Sequence, residues 1–509
     1  MALAYMENAS MNHNYGSLIF NFIMIMGVVT CPVYAQDTEL KDLDQNMFAG
    51  GNRDDDALAR EEYAYSVGIQ AYLYGAPLVR LDKVRTRNSL FYPPSRAKMT
   101  TGTGLVNKVV LDGVQFNELI HIRKLSTPQM KLGVTPNNDT MYSPLFFNLL
   151  EQPLVISVPK MDRYYSIQLA DAFLANFGYI GSRATGLDAG DFLLVGPNWK
   201  GTAPEGISLI RSPHNEGMYT LRILVSGPSS DQRIVSALQD QFTVRPLSEF
   251  VGETESTIGE DIPFIDFDGE ELGFFKHMLY MAKRNPPLMQ DAPVWSMLQT
   301  VGIYIDQPFT SDSLDPDFRR GLNRAVTAAQ KIIAWKVKYR GKQSTTKWNI
   351  DFVGGSYGHN YLARAEGATQ GLLVHDPEEC LYFHTYEDGD GNILDGKEQY
   401  VLTFPADSLP PVNAFWSLTG YTPDYNLVEN ELKRYAIGDR TDGLRYNDDG
   451  SLTIFIQSTE PTEWGSSNWL PIPDEGLFRL NLRMYNPDLE TITHETVERY
   501  IPKIVRREQ

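Results

Sequence analysis

The stretch GVTPNNDTMYSPLFFNLL, residues 133–150, places a polar turn directly before an apolar strand. Asn and Asp favour turns because their side chains hydrogen-bond to nearby backbone amides. Residues 142–150 are mainly aromatic and aliphatic, which predicts a strand. The junction therefore predicts a turn at the edge of a β-sheet, and it raises the question of whether the polar residues also belong to a functional site.

Short apolar runs of the same kind recur through residues 100–228. Examples are PLVISVP at 153–159 and YYSIQLADAF at 164–173. Pro, Gly, Asn or Asp interrupts these runs about every ten residues, a spacing that is typical of antiparallel strands in a sandwich. We therefore predict a first β-sandwich over 100–228.

The apolar spacing changes to every third or fourth residue after Ser229, which predicts a helical unit over 229–365. Strands return over 366–509, where several runs are dense in aromatic and β-branched residues. A jelly-roll or another sandwich would close so many short strands. The predicted fold is therefore multidomain, with α and β structure and a helical unit between two β regions.

The N-terminal part of the chain predicts a polar segment with one helix over 36–99. An acidic run precedes the apolar part of this helix, and carboxylates favour the positive N-terminal end of a helix. We expect the helix to end at Gly75 or Pro77, because both residue types interrupt helices.

Residues 16–30 form one apolar run. A membrane-spanning helix needs about 20 such residues, so the run is short for one. Val33 and Ala35 fit the small-residue rule before a cleavage site, which predicts a signal peptide over 1–35 and export to the periplasm or the outside. No stable membrane span would remain after cleavage. A lipoprotein acylated at Cys31 and a retained anchor are the alternatives, because no Lys or Arg precedes the apolar run.

The composition is that of a globular protein of 509 residues, with 42% hydrophobic and 21% charged residues. The net charge is −19, and no Lys/Arg-rich block is present. A nucleic-acid-binding protein needs a basic surface to displace counterions, so nucleic acid is excluded as a partner.

Local motifs of known chemistry are sparse in the sequence. None of the eight histidines forms an HxH or HExxH pair, and no phosphate-binding loop occurs. GGSYG, 354–358, has the residue spacing of GxSxG, a pattern that marks a nucleophile only on a sharp strand-to-helix turn. The loop EDGDGNILDG, 387–396, spaces Asp388, Asp390 and Asn392 like calcium ligands. Ile393 stands where an EF-hand needs Gly, so a hairpin turn explains the loop better. We predict no metal site, and the sequence implies no particular cofactor.

Polar residues inside otherwise apolar strands are the candidates for a site. Asp139 and Asp171 are the candidate acid/base pair, and Arg183 is the candidate partner for an anion. The candidate ligand-binding residues are Asn137, Asn138, Thr140, Tyr142, Tyr164 and Gln168. The structural alternative is that these aspartates only bond to their own backbone in turns.

Several of these stretches resemble a known family. AYLYGAPLVRL (71–81), 133–149 and 153–173 resemble domain of unknown function 1254, and YVLTFPADSLPPVNAFWSLTGY (400–421) and 468–487 resemble its usual C-terminal companion, domain of unknown function 1214. The resemblance implies an immunoglobulin-like sandwich, a helical unit and a jelly-roll, in a family that is mostly bacterial and often exported. It implies no agreed activity.

Two functions from different classes fit the sequence. The first is an exported protein that binds or processes a small organic or saccharide ligand in a cleft beside the first β-sandwich. The second is a non-catalytic envelope or surface protein that uses its β-sandwiches for assembly, homo-oligomers included, or for contacts with a host or partner. The sequence alone does not decide whether the protein is an enzyme.

Overall fold

The computed structural model describes residues 53–87, 98–99, 109–110, 114–130, 135–227, 230–253 and 265–507. The predicted signal peptide and its alternatives lie outside the described residues. The chain divides into two compact units, Met1–Ala57 and Leu58–Gln509. None of the described helices is both long and apolar enough to cross a membrane.

The strands in the described residues are β1 (Lys98–Met99), β2 (Val109–Val110), β3 (Thr140–Asn148), β4 (Leu154–Val158), β5 (Tyr165–Asp171), β6 (Asn176–Gly181), β7 (Gly190–Val195), β8 (Ser208–Arg211), β9 (Glu216–Leu224), β10 (Thr243–Pro246), β11 (Lys342–Gln343), β12 (Asn349–Asp351), β13 (Cys380–Thr385), β14 (Tyr400–Phe404), β15 (Val412–Tyr421), β16 (Ala436–Gly438), β17 (Leu452–Gln457), β18 (Trp469–Pro471), β19 (Arg479–Pro487) and β20 (Ile504–Arg506). The helices are α1 (Arg53–Arg87), α2 (Asp231–Gln239), α3 (Leu247–Phe250), α4 (Gly273–Arg284), α5 (Ala292–Thr300), α6 (Pro316–Lys338) and α7 (Tyr361–Gln370). The structure is therefore mixed α and β, with strands on both sides of a helical segment as the sequence predicts.

The first β body consists of two sheets, with strand orders β3-β9-β5-β6 and β10-β4-β7-β8. One hydrophobic core joins them, because Leu145 of β3 and Leu221 of β9 share a cluster with Ile156 of β4 and Leu194 of β7. Side chains alternate along a strand, so the other face of the β3-β9-β5-β6 sheet points away from this core. That second face forms one wall of the cavity described below.

The second β body consists of a sheet with strand order β11-β12-β13-β19-β15-β16 and a sheet with order β18-β17-β14-β20. Phe383, Leu418 and Leu482 of the first sheet share a core with Leu402 and Ile454 of the second. Strand β19 lies between β13 and β15 and pairs with both in antiparallel register. Its residues are therefore held on both sides by backbone hydrogen bonds.

Helix α1 continues to Arg87, so the predicted end at Gly75 or Pro77 is wrong. Tertiary burial explains the difference. Leu78 and Leu81 are buried after the proline, and burying each contributes about 1.5–3 kcal/mol, which together offsets the cost of about 3 kcal/mol for an interior proline. Gly75 has a packing role, since a Cβ atom there would lie 2.4 Å from the sulfur of Met278 in α4.

Short strands also lie within the segment that was predicted as a helical unit. β10 extends a sheet of the first β body, and β11 and β12 extend a sheet of the second. These strands are only two to four residues long. Runs this short carry no detectable alternation of apolar residues, which is why the sequence pattern did not predict them.

Candidate functional site

Strand β19 contributes one complete face to a cavity between the two β bodies. Its alternating residues Arg479, Asn481, Arg483 and Tyr485 line the cavity. The intervening residues, Leu480, Leu482 and Met484, are buried in the core of the second β body. The alternation of a strand thus separates a polar cavity face from an apolar core face within one short segment.

Strand β9 also has one face toward the cavity and one toward a core, on the opposite side of the cavity. Met218, Thr220 and Arg222 line the cavity, whereas Leu221 and Ile223 are in the core of the first β body. The last residue of helix α7 and the segment after it, residues 370–374 together, form a third wall. The cavity has a volume of about 180 Å³, which is similar to engineered cavities that hold a benzene-sized ligand.

The charge of the cavity is opposite to that of the whole protein. The described lining residues include Arg222, Arg340, Arg479 and Arg483, and no Asp or Glu is among them. The chain as a whole has a net charge of −19. The lining of the cavity is therefore positively charged, although the protein as a whole is acidic.

Arg222 is buried and is held by neutral acceptors. Its Nη1 donates to Gln168 Oε1 at 2.8 Å, and its Nη2 lies 3.5 Å from the Leu373 carbonyl. Its guanidinium group also lies 5.2 Å from the centre of the Tyr142 ring. Within the described residues, Arg222 therefore has no carboxylate to balance its charge.

Arg483 has a similar environment on β19. Its Nη2 donates to the Thr135 carbonyl at 2.9 Å and to the Tyr421 hydroxyl at 2.8 Å, and its Nη1 donates to Thr419 Oγ1 at 3.2 Å. Thr135 has a φ of 51°, which is strained for a β-branched residue. Its hydrogen bond to a buried cation helps to hold this conformation.

Arg479 lies near the faces of two tyrosines. Its guanidinium carbon is 4.8 Å from the Tyr386 ring centre and 4.9 Å from that of Tyr425. It donates to the Tyr386 hydroxyl and to Asn481 Oδ1 at 2.9 and 2.8 Å. Burial lowers the pKa of Arg479, because the guanidinium group has lost most of its water.

His384 and Arg340 also line the cavity. Burial lowers the pKa of His384 well below its usual range, and the charges of Arg479 and Arg340 lower it further. His384 is therefore neutral near pH 7. Arg340 differs from the other lining arginines, because it forms ion pairs with Asp351 at 2.9 Å and Glu366 at 3.5 Å.

The buried carboxyl group of Glu366 should make the stability of the protein depend on pH. Burial raises its pKa from 4.5 to about 7, despite the opposing charge of Arg340. Between these values the folded protein holds a proton that the unfolded chain has lost, so the free energy of unfolding should fall by about 3 kcal/mol as pH rises from 4.5 to 7. Urea unfolding of wild type and Glu366→Gln at pH 5 and pH 8 measures this. We expect the variant to gain stability relative to wild type at the higher pH, whereas an equal difference at both pH values would contradict the prediction.

The side chain of Asn137 belongs both to the polar turn and to the cavity wall. Its Oδ1 accepts hydrogen bonds from the amides of Asp139 and Thr140, both at 3.0 Å, as in a well-formed turn. Its Nδ2 also donates to the hydroxyls of Tyr142 at 2.6 Å and Tyr485 at 3.1 Å, and all three side chains line the cavity. In the described part of the chain neither hydroxyl donates a hydrogen bond, so both O–H groups remain available to an acceptor in the cavity. The segment is therefore both a turn and part of the cavity wall.

Asp139 is held by the second β body. Its Oδ1 accepts from Arg440 at 2.8 Å, and its Oδ2 accepts from Ser417 at 2.7 Å. Both oxygens are thus engaged in an ion pair and a hydrogen bond that connect the two β bodies. Asp139 is not among the cavity-lining residues.

Asp171 lies far from Asp139. It is opposite Gly217 at the start of β9, whereas the Asp139 carbonyl bonds to the amide of Val225 just after the end of β9. Eight residues of extended strand separate these positions by about 26 Å. Asp171 accepts from the amide of Phe173 and lies 3.0 Å from His214 Nδ1. The structure does not bring the predicted acid/base pair together, and the catalytic role predicted for it is not supported by this geometry.

Arg183 forms an ion pair with Glu379 at 2.6 Å, and the Tyr164 hydroxyl donates to the same carboxylate at 2.7 Å. Gln168 does not line the cavity itself, but its Oε1 accepts a hydrogen bond from Arg222, which does. Asn138 Nδ2 donates to the carbonyl of Ser126 at 2.7 Å. Of the predicted ligand-binding residues, Asn137 and Tyr142 line the cavity, whereas Asn138, Thr140, Tyr164 and Gln168 are not among its lining residues.

Six lining residues were not predicted from the sequence, namely Arg222, Arg479, Arg483, Tyr382, Tyr485 and His384. A signal for the arginines was present. RLNLRMY, 479–485, places polar residues at every second position of a strand whose other residues are apolar. In a strand that is buried on both faces, this pattern indicates that the polar face lines a cavity rather than the surface.

Comparison with known proteins identifies the two β regions. Residues 116–246 match the family model "Protein of unknown function (DUF1254)", and residues 379–489 match "Protein of unknown function (DUF1214)".

The crystal structure of the VPA0106 protein from Vibrio parahaemolyticus has a similar fold, with a TM-score of 0.65 and 21% identity over 87% of this chain and 100% of that chain. The crystal structure of an uncharacterized protein from Burkholderia cenocepacia aligns with a TM-score of 0.39 and 12% identity over 91% of this chain and 98% of that one. No curated protein matches the chain at a significant level. The resemblance seen in the sequence is confirmed: the chain pairs an N-terminal DUF1254 region with a C-terminal DUF1214 region.

Proposed function

We propose that the protein binds a small organic anion, a carboxylate in the first instance, in the cavity between its two β bodies. The observation that supports this is the presence of three buried arginines, Arg222, Arg479 and Arg483, on the cavity wall. In the described residues their hydrogen bonds go to neutral groups only. Guanidinium groups pair with carboxylates through two parallel hydrogen bonds, which makes an anion the natural counterpart.

A carboxylate fits this lining better than a saccharide. Each sugar hydroxyl donates one hydrogen bond and accepts others, so a sugar site needs acceptors as well as donors. The described lining offers several donors, namely guanidinium groups and the O–H groups of Tyr142 and Tyr485, and one buried acceptor without a hydrogen-bond partner, Gln370 Oε1. Apolar side chains such as Met218 and Leu372 complete the wall and would contact a hydrocarbon part of the ligand.

The proposal includes the predicted export, which the apolar run 16–30 supports. The immunoglobulin-like and jelly-roll assignments of the two β bodies stay predictions. The alternative function, assembly through protein contacts, is supported by a pair of exposed aromatic residues near the end of α6, Trp335 and Tyr339, each with 56% of its surface exposed.

A thermal-unfolding comparison of carboxylates with their matched amides tests the binding proposal. Hexanoate and benzoate should raise the melting temperature with concentration, whereas hexanamide and benzamide should not, because only the anions neutralise the arginines. A ligand at 100 times its Kd stabilises the folded state by about 2.7 kcal/mol, which such a measurement detects readily. Equal shifts with acids and amides, or no shift with any acid, would count against the proposal.

A further inference from the structure

The cationic groups of the cavity are distributed over both β bodies. Arg222 is on β9 of the first body, and Arg479 is on β19 of the second. Arg222 is held by Gln168, the Leu373 carbonyl and the Tyr142 ring. Arg479 is held by Tyr386, Asn481 and Tyr425. The two sets of partners have no member in common among the described residues, so each guanidinium group is fixed separately.

Arg483 is on the same strand as Arg479. It is four residues from Arg479 on β19, which corresponds to about 13 Å between their Cα atoms. It pairs in register with Tyr382 of β13, and it bonds to the carbonyl of Thr135, two residues before Asn137. Arg222 lies over the ring of Tyr142, to which Asn137 donates, so Arg222 and Arg483 both lie beside the Asn137 turn, whereas Arg479 is held by Tyr386 and Asn481.

Charge balance limits what can occupy such a site. An ion that has been removed from water must be compensated by a partner of opposite charge, and an uncompensated buried charge is strongly unfavourable. The charge of Asp139 acts on Arg483, whereas Arg222 and Arg479 form no hydrogen bond with a carboxylate in the described residues. One carboxylate would therefore leave one of these two arginines uncompensated. Arg222 and Arg479 are fixed by separate sets of partners, so a ligand with two carboxylates can pair with each of them separately.

From this geometry we infer that the ligand is an elongated dianion, with two carboxylates joined by an apolar spacer. One carboxylate binds at Arg222 and Arg483, where the O–H groups of Tyr142 and Tyr485 are available, and the other binds at Arg479. The spacer lies against Met218 and Leu372. This inference rests on the proposed function and adds the class of ligand to it.

Calorimetric titration of the full chain with matched acids tests the inference. The probes are succinate, adipate and suberate, compared with butanoate, hexanoate and octanoate, and with hexyl phosphate as a dianion whose charge is on one group. The best diacid should bind about tenfold or more tightly than its monoacid, because it gains a second bidentate ion pair. Hexyl phosphate should bind about as tightly as the monoacid, and Arg479→Met should lower its affinity much less than it lowers the affinity for the diacid.

Arg479→Met identifies the second end of the site. It should reduce the affinity for the diacid to about that for the monoacid, and it should lower the affinity for the monoacid, which can also bind at Arg222 and Arg483, by much less. Arg479→Lys should restore part of the preference by restoring the charge. Arg364→Met, at a buried arginine in helix α7 outside the cavity, is the matched control and should retain the preference. Melting curves without ligand verify that each variant is folded.

The outcomes separate the two proposals. Equal affinity for diacids and monoacids, an equal loss of both in Arg479→Met, or tighter binding of hexyl phosphate that depends on Arg479 would overturn the inference while leaving anion binding intact. Failure of every acid and of the phosphate to bind would overturn the proposed function as well.

Discussion

Replacing Arg222 by methionine should weaken anion binding by about 100-fold or more, because truncating one partner of a buried charged pair costs 2–5 kcal/mol or more. The same change should leave the ligand-free protein about as stable as the wild type, within about 1 kcal/mol, or more stable. Methionine fills a similar volume and removes a buried charge that has no carboxylate partner in the described residues. The unpaired acceptor left at Gln168 Oε1 offsets part of that gain.

The combination of lost binding and retained stability is what distinguishes a binding residue from a structural one. Calorimetric titration measures the affinity, and urea unfolding measures the free energy of unfolding. Arg364→Met is the matched control, because Arg364 is also buried and lies against the aromatic rings of Tyr74, Phe173 and Tyr361 rather than in the cavity. If Arg222→Met bound the anion normally and were severely destabilised, Arg222 would be structural and the proposed site would be wrong.

Replacing Asp139 by alanine should destabilise the protein by about 3–5 kcal/mol, the usual result of removing one partner from a buried ion pair. Asp139 is 4% exposed, and it accepts from Arg440 and Ser417, which both belong to the second β body. The change would leave the Arg440 charge without its carboxylate and weaken the contact between the two bodies. Ligand affinity should fall too, because the same turn positions Asn137.

The melting temperature of Asp139→Ala and Asp139→Asn separates this role from the catalytic role predicted from the sequence. Asparagine keeps the shape and one acceptor, so its effect on stability should be smaller than that of alanine. Asp162→Ala is the control: Asp162 pairs with Arg163, but its side chain is 76% exposed, so the loss should be within about 1 kcal/mol. An Asp139→Asn protein with an unchanged melting temperature would refute the structural role.

Particular residues show how far the sequence could predict the site. Asn137 and Tyr142 were identified because polar side chains stood beside an apolar strand, and both line the cavity. Asp139 and Asp171 were selected by the same criterion. Strand register places them about 26 Å apart, at opposite ends of β9. The spacing along one strand was readable from the sequence, whereas the partner strand and its direction were not.

The sequence could not show that the cavity arginines lie in one site. Arg222 and Arg479 are 257 residues apart in the chain, as their residue numbers show. Nothing in either local pattern says that the polar face of one sheet lies opposite the polar face of the other. The end of helix α1 could not be predicted from local sequence either. The helix continues through Pro77 because distant segments bury Leu78 and Leu81.

The sequence by itself determined the order of strands, helices and strands, the family resemblance and the alternation that separates core from cavity faces, because side-chain period and turn chemistry are local properties of the chain. Only the tertiary structure decided that Asp139 connects the two β bodies, that Asp171 lies at the other end of the sheet, and that the arginines of β9 and β19 share one cavity. Those facts depend on strand register and sheet packing, which bring together residues that no local pattern relates.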